Sequence, residues 1–468
     1  QNERGRNTVI VLVGSHVTSF GLAGWPASQK LTTCVSVRAP GQPAFSPARP
    51  DLSPLLRPEH INALRRALSE RGLIKDPPKG PRGGEVRLSL GRAEQIGEVE
   101  GQEVVVGRVV REAGYAVRFP LSGGVLNVGA AEDYGEERAL ADLYAIIEHV
   151  VLERVGLSAA EVREHDFVLS LPDRLERQSC EKLLEWVLRR LQPRGLSLQQ
   201  ETVLCFLGRN CALGGLLDLG HGQSTLACVE EGLQQRESVA HLPTGAALVR
   251  DVWRAVLRVR RGVEVDQFDF GCLEDRMWEK FAYFSMNPAH IDPSGADKSP
   301  VATSYRVELE SREERKPVEV VFHTEDFVLA LHLLFEPAEL GFAPLHRAVA
   351  AWAGGLPEAS RARVLGNVLL SGGLAALPGC VYVVEQRLRE ALAGGELAGA
   401  EVAVVQENAD IAGSDPAFLG ATILPKLDCF AEVLLNAEQL ASAEREEDRE
   451  RASSGRKRYL RERLTFYW

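Results

Sequence analysis

Leu216-Leu217-Asp218-Leu219-Gly220-His221-Gly222-Gln223-Ser224-Thr225 is the stretch on which the reading of the fold turns. Apolar runs at 215–219 and 224–229 flank a turn that carries two glycines, and the pattern predicts a strand–turn–strand hairpin. Without a Cβ, such a turn lets backbone N–H groups approach phosphate oxygens closely. An Asp at the strand end can hold a hydrated divalent cation beside them. A plain hairpin leaves the same signature, so the stretch has to be weighed with the rest of the chain.

A second unit of this kind opens the sequence. Val9 to Val13 runs into Gly14-Ser15, and a further run starts at Ser19 and includes Phe20, Leu22 and Ala23. The repetition predicts two related lobes around a cleft. Between and beyond these units, apolar runs at 104–106, 115–119, 167–171 and 203–207 read as strands, and 364–370 is a further apolar run. Helical spacing marks 61–73, 136–155, 177–191, 380–392 and the start of a helix at 418–424. The alternation predicts an α/β class with mixed sheets. Pro40, Pro43, Pro47, Pro50, Pro54 and Pro58, followed by a second breaker segment at 75–84, mark an insertion.

Bulk properties narrow the setting. The chain has 468 residues, 54 Lys plus Arg, 65 Asp plus Glu and a net charge of −11. An acidic chain is not a bulk nucleic-acid coat, and contact with DNA would need a local basic patch. No apolar run approaches the roughly 20 residues that span a bilayer, and no secretory pattern opens the sequence. The expectation is a soluble intracellular protein that makes no membrane contact. The 8 cysteines lack zinc spacing and read as free thiols in a reducing compartment.

The order of the motifs resembles the actin superfamily. Gly14-Ser15 with Gly21-Leu22-Ala23-Gly24 is similar to actin's first phosphate loop, and Asp218 to Thr225 to its second. Leu370-Ser-Gly-Gly-Leu-Ala-Ala-Leu-Pro-Gly379 is similar to the adenosine-side motif, and Phe418-Leu-Gly-Ala-Thr-Ile-Leu424 to a later helix opening. The resemblance covers about residues 7 to 440 and weakens between Trp25 and Gly101. It implies an actin-like (ribonuclease H-like/actin ATPase) fold, with two similar lobes around a nucleotide cleft and flanking helices on each mixed sheet. One lobe is expected from 1–200 with 405–468, including the insertion at about 39–84 and a tail at 441–468. The other is expected from 201–404. Carried over by position, Gly14, Ser15, Asp218, Gly220, Gly222, Glu279, Gly372 and Gly373 would line a site for ATP or ADP, with Mg beside Asp218. The retained glycines fit fold geometry and nucleotide binding equally.

The departures from the family's pattern fall at the phosphate end. Leu12 stands where actin has a metal-side Asp, Ser19 where it has the phosphate Lys, and His221 where it has a second Asp. Glu181 aligns with the water-positioning Gln and Thr225 with a His. Phosphoryl transfer rests on positioning and charge stabilisation, so this set implies a non-catalytic binding subunit. The alternative is a nucleotide-binding ATPase with weak hydrolysis. A sugar kinase or heat-shock-type ATPase would need polar groups where Leu12 and Ser19 stand, and the Pro-rich stretch speaks against filaments.

The terminus, Leu460-Arg461-Glu462-Arg463-Leu-Thr-Phe466-Tyr467-Trp468, resembles one class within that superfamily, the eighth class of actin-related proteins, which are subunits of INO-80 class chromatin remodellers. That resemblance implies a nuclear location. It implies as partners a helix of the remodeller's motor subunit, actin, actin-related protein 4, and DNA or the nucleosome. Two basic clusters, Arg258, Arg260, Arg261 and Arg456, Lys457, Arg458, are candidates for the DNA contact; each also reads as a solvated helix face.

Overall fold

The computed structural model describes residues 5–40, 52–71, 86–88, 103–110, 114–129, 134–269, 274, 277–278, 282–284, 304–311, 316–337, 340–394, 397–405 and 415–447. Its frame is two five-stranded sheets. The first contains β1 (Thr8–Val13), β2 (Val17–Leu22), β3 (Gln29–Thr32), β4 (Asp166–Ser170) and β5 (Gly195–Gln199) in the order β5-β4-β1-β2-β3. The second contains β6 (Gly214–Leu219), β7 (Ser224–Glu230), β8 (Leu233–Leu242), β9 (Val368–Ser371) and β10 (Val404–Val405) in the order β8-β7-β6-β9-β10.

The two orders are the same topology. In each sheet an antiparallel three-stranded meander is followed by two strands added in parallel. The parallel strands read as continuous apolar runs because both faces are covered. Val9, Ile10 and Val168 are fully buried, as are Leu217 and Leu226.

Helices close both faces. Those used below are α1 (Pro58–Glu70), α2 (Glu136–His149), α3 (Arg177–Trp186), α4 (Glu201–Gly208) and α5 (Ala246–Arg261). They continue with α6 (Thr324–His332), α7 (Leu345–Gly355), α8 (Cys380–Leu392) and α9 (Pro416–Ile423). The stripe Leu140, Leu143, Ile146, Ile147 of α2 packs with Leu183 and Leu184 of α3 over the first sheet.

Two expectations need correction. The run 203–207 is not a strand but the body of α4. A short apolar run has no period to separate the two states. Here Leu204, Cys205 and Phe206 are buried against the end of β6 and the later α9, which a helix allows. The run 364–370 likewise divides, with Val364 and Leu365 ending a helix before β9 begins at Val368.

The insertion at about 39–84 does not belong wholly to the first lobe. Ile61, Leu64 and Leu68 form one buried stripe of α1, and they share a core with Val249 and Trp253 of α5 and Phe327 of α6. Burying three such side chains contributes roughly 5–8 kcal/mol, and the second lobe supplies the apolar cover. Arg65 of α1 adds an ion pair to Glu325. Strand 86–88 also joins the second half of the chain, pairing in parallel with 305–307.

The chain passes between the sheets at α4, from β5 to β6. It returns through α9, after β10, toward Leu435, which bridges to Leu196 of β5. The two crossing helices touch backbone to backbone. A Cβ on Gly208 would lie 3.0 Å from the nitrogen of Gly420, and one on Gly420 would lie 2.7 Å from the carbonyl carbon of Leu204. Gly420, in the motif Phe418-Leu-Gly, is therefore fixed by this helix crossing.

Candidate functional site

The β1–β2 and β6–β7 turns face each other where the two sheets meet. Gly14 closes the first turn by donating its N–H to the carbonyl of Val17 at 3.1 Å, and a Cβ there would stand 2.6 Å from that oxygen. Ser15 is committed to a neighbouring turn, since its hydroxyl oxygen accepts the N–H of Gly124 at 2.8 Å. In the second turn a Cβ on Gly220 would lie 2.8 Å from the carbonyl of Gln223, and one on Gly222 would lie 3.1 Å from the nitrogen of Gly123. Arg174 donates to the Gln223 side chain at 2.7 Å and to the carbonyl of Gly123 at 3.1 Å.

Across this meeting point the imidazoles of His16 and His221 stack, with ring centroids 3.8 Å apart and an interplanar angle of 9°. Phe119 extends the stack, 6.0 Å from His16. One ring comes from each phosphate-type turn, so the pair spans the cleft. Leu12, at the position of the expected metal-side Asp, is a core residue packed with Ile10, Val168 and Leu216. Ser19 is buried in β2 opposite Leu12.

Asp218 ends β6 in register with Ser371 of β9. Burial raises its carboxyl pKa to about 7, and Asp173 and Asp415 push in the same direction. Burial also raises Asp173 to about 6, against hydrogen bonds from Gln234 and Thr202. Glu201, the first residue of α4, is raised by burial and then by Asp218, Asp415 and Asp173. Asp415 caps α9, accepting the N–H of Ala417 at 3.0 Å.

These carboxylates were only partly legible beforehand. Glu181, the expected counterpart of the water-positioning Gln, sits on α3 in an ion pair with Arg177 at 2.9 Å. Glu201 is the carboxylate at the site. No motif marked it: it lies 17 residues before Asp218, and the helix crossing brings the two together. His241 was also missed. Strand pairing puts it opposite Thr225, with its Nδ1 3.2 Å from the Thr225 hydroxyl and 3.4 Å from the Gln223 amide nitrogen. Thr225 replaces one imidazole, and the neighbouring strand supplies another.

The two glycines after β9 differ in kind. Gly372 has φ +89°, and a Cβ there would lie 2.5 Å from Oδ1 of Asp218, so the fold itself demands glycine. A Cβ on Gly373 would meet nothing within 4 Å. Its bareness serves no internal contact, and it leaves open space as a bound base would require. Gly245 shapes the opposite wall, where a Cβ would lie 2.5 Å from the carbonyl of His221. The loop carbonyls of Gly220 and His221 then accept the first N–H groups of α5, from Ala246 and Ala247.

For a cation the fit is thinner. Oδ1 of Asp173 is buried without a hydrogen-bond partner, and burial together with the neighbouring acids raises the pKa of Asp218, so a cation beside it would favour its charged form. Yet among the described residues no three His, Cys, Asp or Glu side chains form a metal-holding group. A divalent ion would therefore depend on Asp218, phosphate oxygens and water.

The basic cluster on α5 is a correction. Arg260 pairs with Asp326 at 2.5 Å and with Glu325 at 2.8 Å, Arg261 pairs with Asp326 at 3.2 Å, and Arg258 pairs with Glu264. Arg260 and Arg261 neutralise acids at the start of α6, Arg258 pairs just beyond the end of its own helix, and the three do not form an open phosphate-facing patch. Glu279 and the cluster Arg456, Lys457, Arg458 lie outside the described residues, as do the terminal aromatics Phe466, Tyr467 and Trp468. No described helix is long and apolar enough to cross a membrane. Seven described cysteines are free thiols.

Two sheets of one topology, joined by a pair of crossing helices and faced by paired glycine turns, make this an actin fold. A human actin-related protein 8 in its ATP-bound state matches it with a TM-score of 0.73 over 99% of this chain and 97% of that one, at 18% sequence identity. In sequence the chain is similar to actin-related protein 8 of Salmo salar, 29% identical over 133 residues, which is 28% of this chain and 21% of the relative. The same protein of Drosophila pseudoobscura pseudoobscura is 24% identical over 176 residues, 36% of this chain and 29% of the relative. The aligned stretches thus span less than a third of these relatives' length. No family model matches the chain.

Proposed function

We propose that the chain is a non-catalytic binding subunit that holds ATP or ADP between its lobes as a structural ligand. The stacked pair His16–His221 carries this reading. It stands between the two turns where an ATPase of this fold needs a lysine and a second carboxylate. Without a Lys ammonium on the terminal phosphates, a charge-assisted contact worth about 1.5–3 kcal/mol is lost. Gly373, bare toward open space, supports retention of the base. Calorimetric titration of the nucleotide-stripped protein with MgATP, beside a coupled ATPase assay, tests the proposal. Binding without phosphate release is expected; turnover, or no binding at millimolar nucleotide, would overturn it.

A second reading, a weak ATPase, is favoured by one observation. His241 and Gln223 lie beside Thr225 and could orient a water.

The setting follows from similarity to actin-related protein 8. We infer a nuclear subunit of an INO-80 class chromatin remodeller, bound to a helix of the motor subunit, to actin and to actin-related protein 4. It contributes there to binding of DNA or histones outside the nucleosome core. The acidic partners of Arg258, Arg260 and Arg261 speak against that cluster as the DNA contact. Affinity purification with mass spectrometry tests the partners, and recovery of none of the three proteins would refute the setting.

A further inference from the structure

Far along the chain from the paired turns, a cavity of about 850 Å³ opens between the end of α1, the start of α7 and the outer face of α8. Its charged lining is Arg71, Arg347, Arg387 and His346 against Glu336 and Glu390. Arg387, only 10% exposed, is shared between Glu336 at 2.6 Å and Glu390 at 3.5 Å, and Arg71 reaches Glu336 at 3.7 Å. Three guanidiniums thus face two carboxylates. Among the described residues Arg347 has no acidic partner, and Nδ1 of His346 is buried without a hydrogen bond.

The local field agrees with this count. His346 is held below its ordinary pKa by burial and then by Arg387 and Arg347, which outweigh Glu390 and Glu336. The start of α7 points the same way, with no side-chain cap and no acidic residue in its first turn. One wall is apolar. Pro344, Ala350 and Ala391 form it, while Phe335 is buried beneath Arg387 and supports that guanidinium from below.

We propose that this cavity is a second ligand site, for a small organic phosphate, with Arg347 and Arg71 as its phosphate anchors and the wall of Pro344, Ala350 and Ala391 holding the organic part. Guanidinium forks with free N–H donors match phosphate oxygens bidentately. A concave cavity of this volume suits a metabolite-sized molecule better than a nucleic-acid backbone.

The test uses the full chain, with phenyl phosphate as the probe and inorganic phosphate and NaCl of equal ionic strength as controls, followed by thermal shift and calorimetry. Phenyl phosphate at about 10 mM should raise the melting temperature, more than inorganic phosphate does, and saturating MgATP should leave that response in place. Arg347→Glu, at an exposed position, should melt normally without ligand and bind phenyl phosphate at least about tenfold more weakly. No response in the wild-type chain would overturn the proposal. So would an undiminished response in Arg347→Glu, displacement by MgATP, or a response to a phosphoserine peptide but not to phenyl phosphate.

Discussion

Gly372 and Gly373 sit side by side in opposite surroundings, one crowded and one open, and a pair of substitutions separates the roles proposed for them. At Gly372 an added Cβ meets Asp218 Oδ1 at 2.5 Å, with φ at +89°. The left-handed backbone costs about 1–2 kcal/mol, and the contact with main chain raises the total to roughly 2–4 kcal/mol. Gly372→Ala should therefore lower the melting temperature of the ligand-free protein by several degrees, on the order of 5–10 °C. At Gly373 there is open space and φ lies outside the left-handed region, so Gly373→Val should change the ligand-free stability by no more than about 0.5 kcal/mol. Its effect should appear only with nucleotide. In the wild-type chain, MgATP at a hundredfold excess over Kd adds about 2.7 kcal/mol; in Gly373→Val that gain should vanish. Differential scanning fluorimetry of both variants, with and without MgATP, reads all four quantities. A Gly373→Val protein stabilised as strongly as the wild type would refute the assignment of that space to the base.

Other expectations follow from buried charge. Arg260→Ala leaves Asp326, which is fully buried, with Arg261 as its remaining guanidinium partner, and should cost about 1.5–3 kcal/mol in chemical denaturation while leaving DNA affinity unchanged. His332 is fully buried with neither ring nitrogen bonded, and burial holds its pKa near 3. A folded-state value depressed below the unfolded one withdraws stability as pH falls from about 6.5 toward 3, so His332→Leu should unfold at lower pH in an acid titration. Asp173 has the opposite sign. Its raised pKa of about 6 means that stability is lost as pH rises from about 4 to 6, and Asp173→Asn should recover roughly 2–3 kcal/mol at pH 7. An Asp173→Asn protein no more stable than the wild type at that pH would count against the carboxylate cluster as described.

The sequence exposed what is local. Both glycine turns, the first two strands of each meander and the amphipathic stripes of α1, α2 and α8 are written in apolar runs and helical spacing, and the structure carries them where those patterns lie. What escaped depends on distant neighbours. Val203 to Leu207 could not be read as helix, because α9, more than 200 residues later, supplies the surface that buries it. Arg258, Arg260 and Arg261 resembled a basic patch, because the acidic partners of Arg260 and Arg261 on α6 lie about 65 residues away. His241 reached the site through strand register, which a motif does not encode. The stack of His16 on His221 needed both lobes in place. The apolar stripe of α1 was visible in the sequence, but not which lobe would cover it.

The proposed cleft keeps its nucleotide without cleaving it. It is tested most directly by loading stripped protein with substoichiometric γ-labelled ATP and Mg, and separating the bound nucleotide chromatographically over hours. The account predicts intact ATP on the protein at every time point, at the rate of spontaneous hydrolysis only. Conversion to bound ADP with release of labelled phosphate, slowed by His241→Ala, would contradict it.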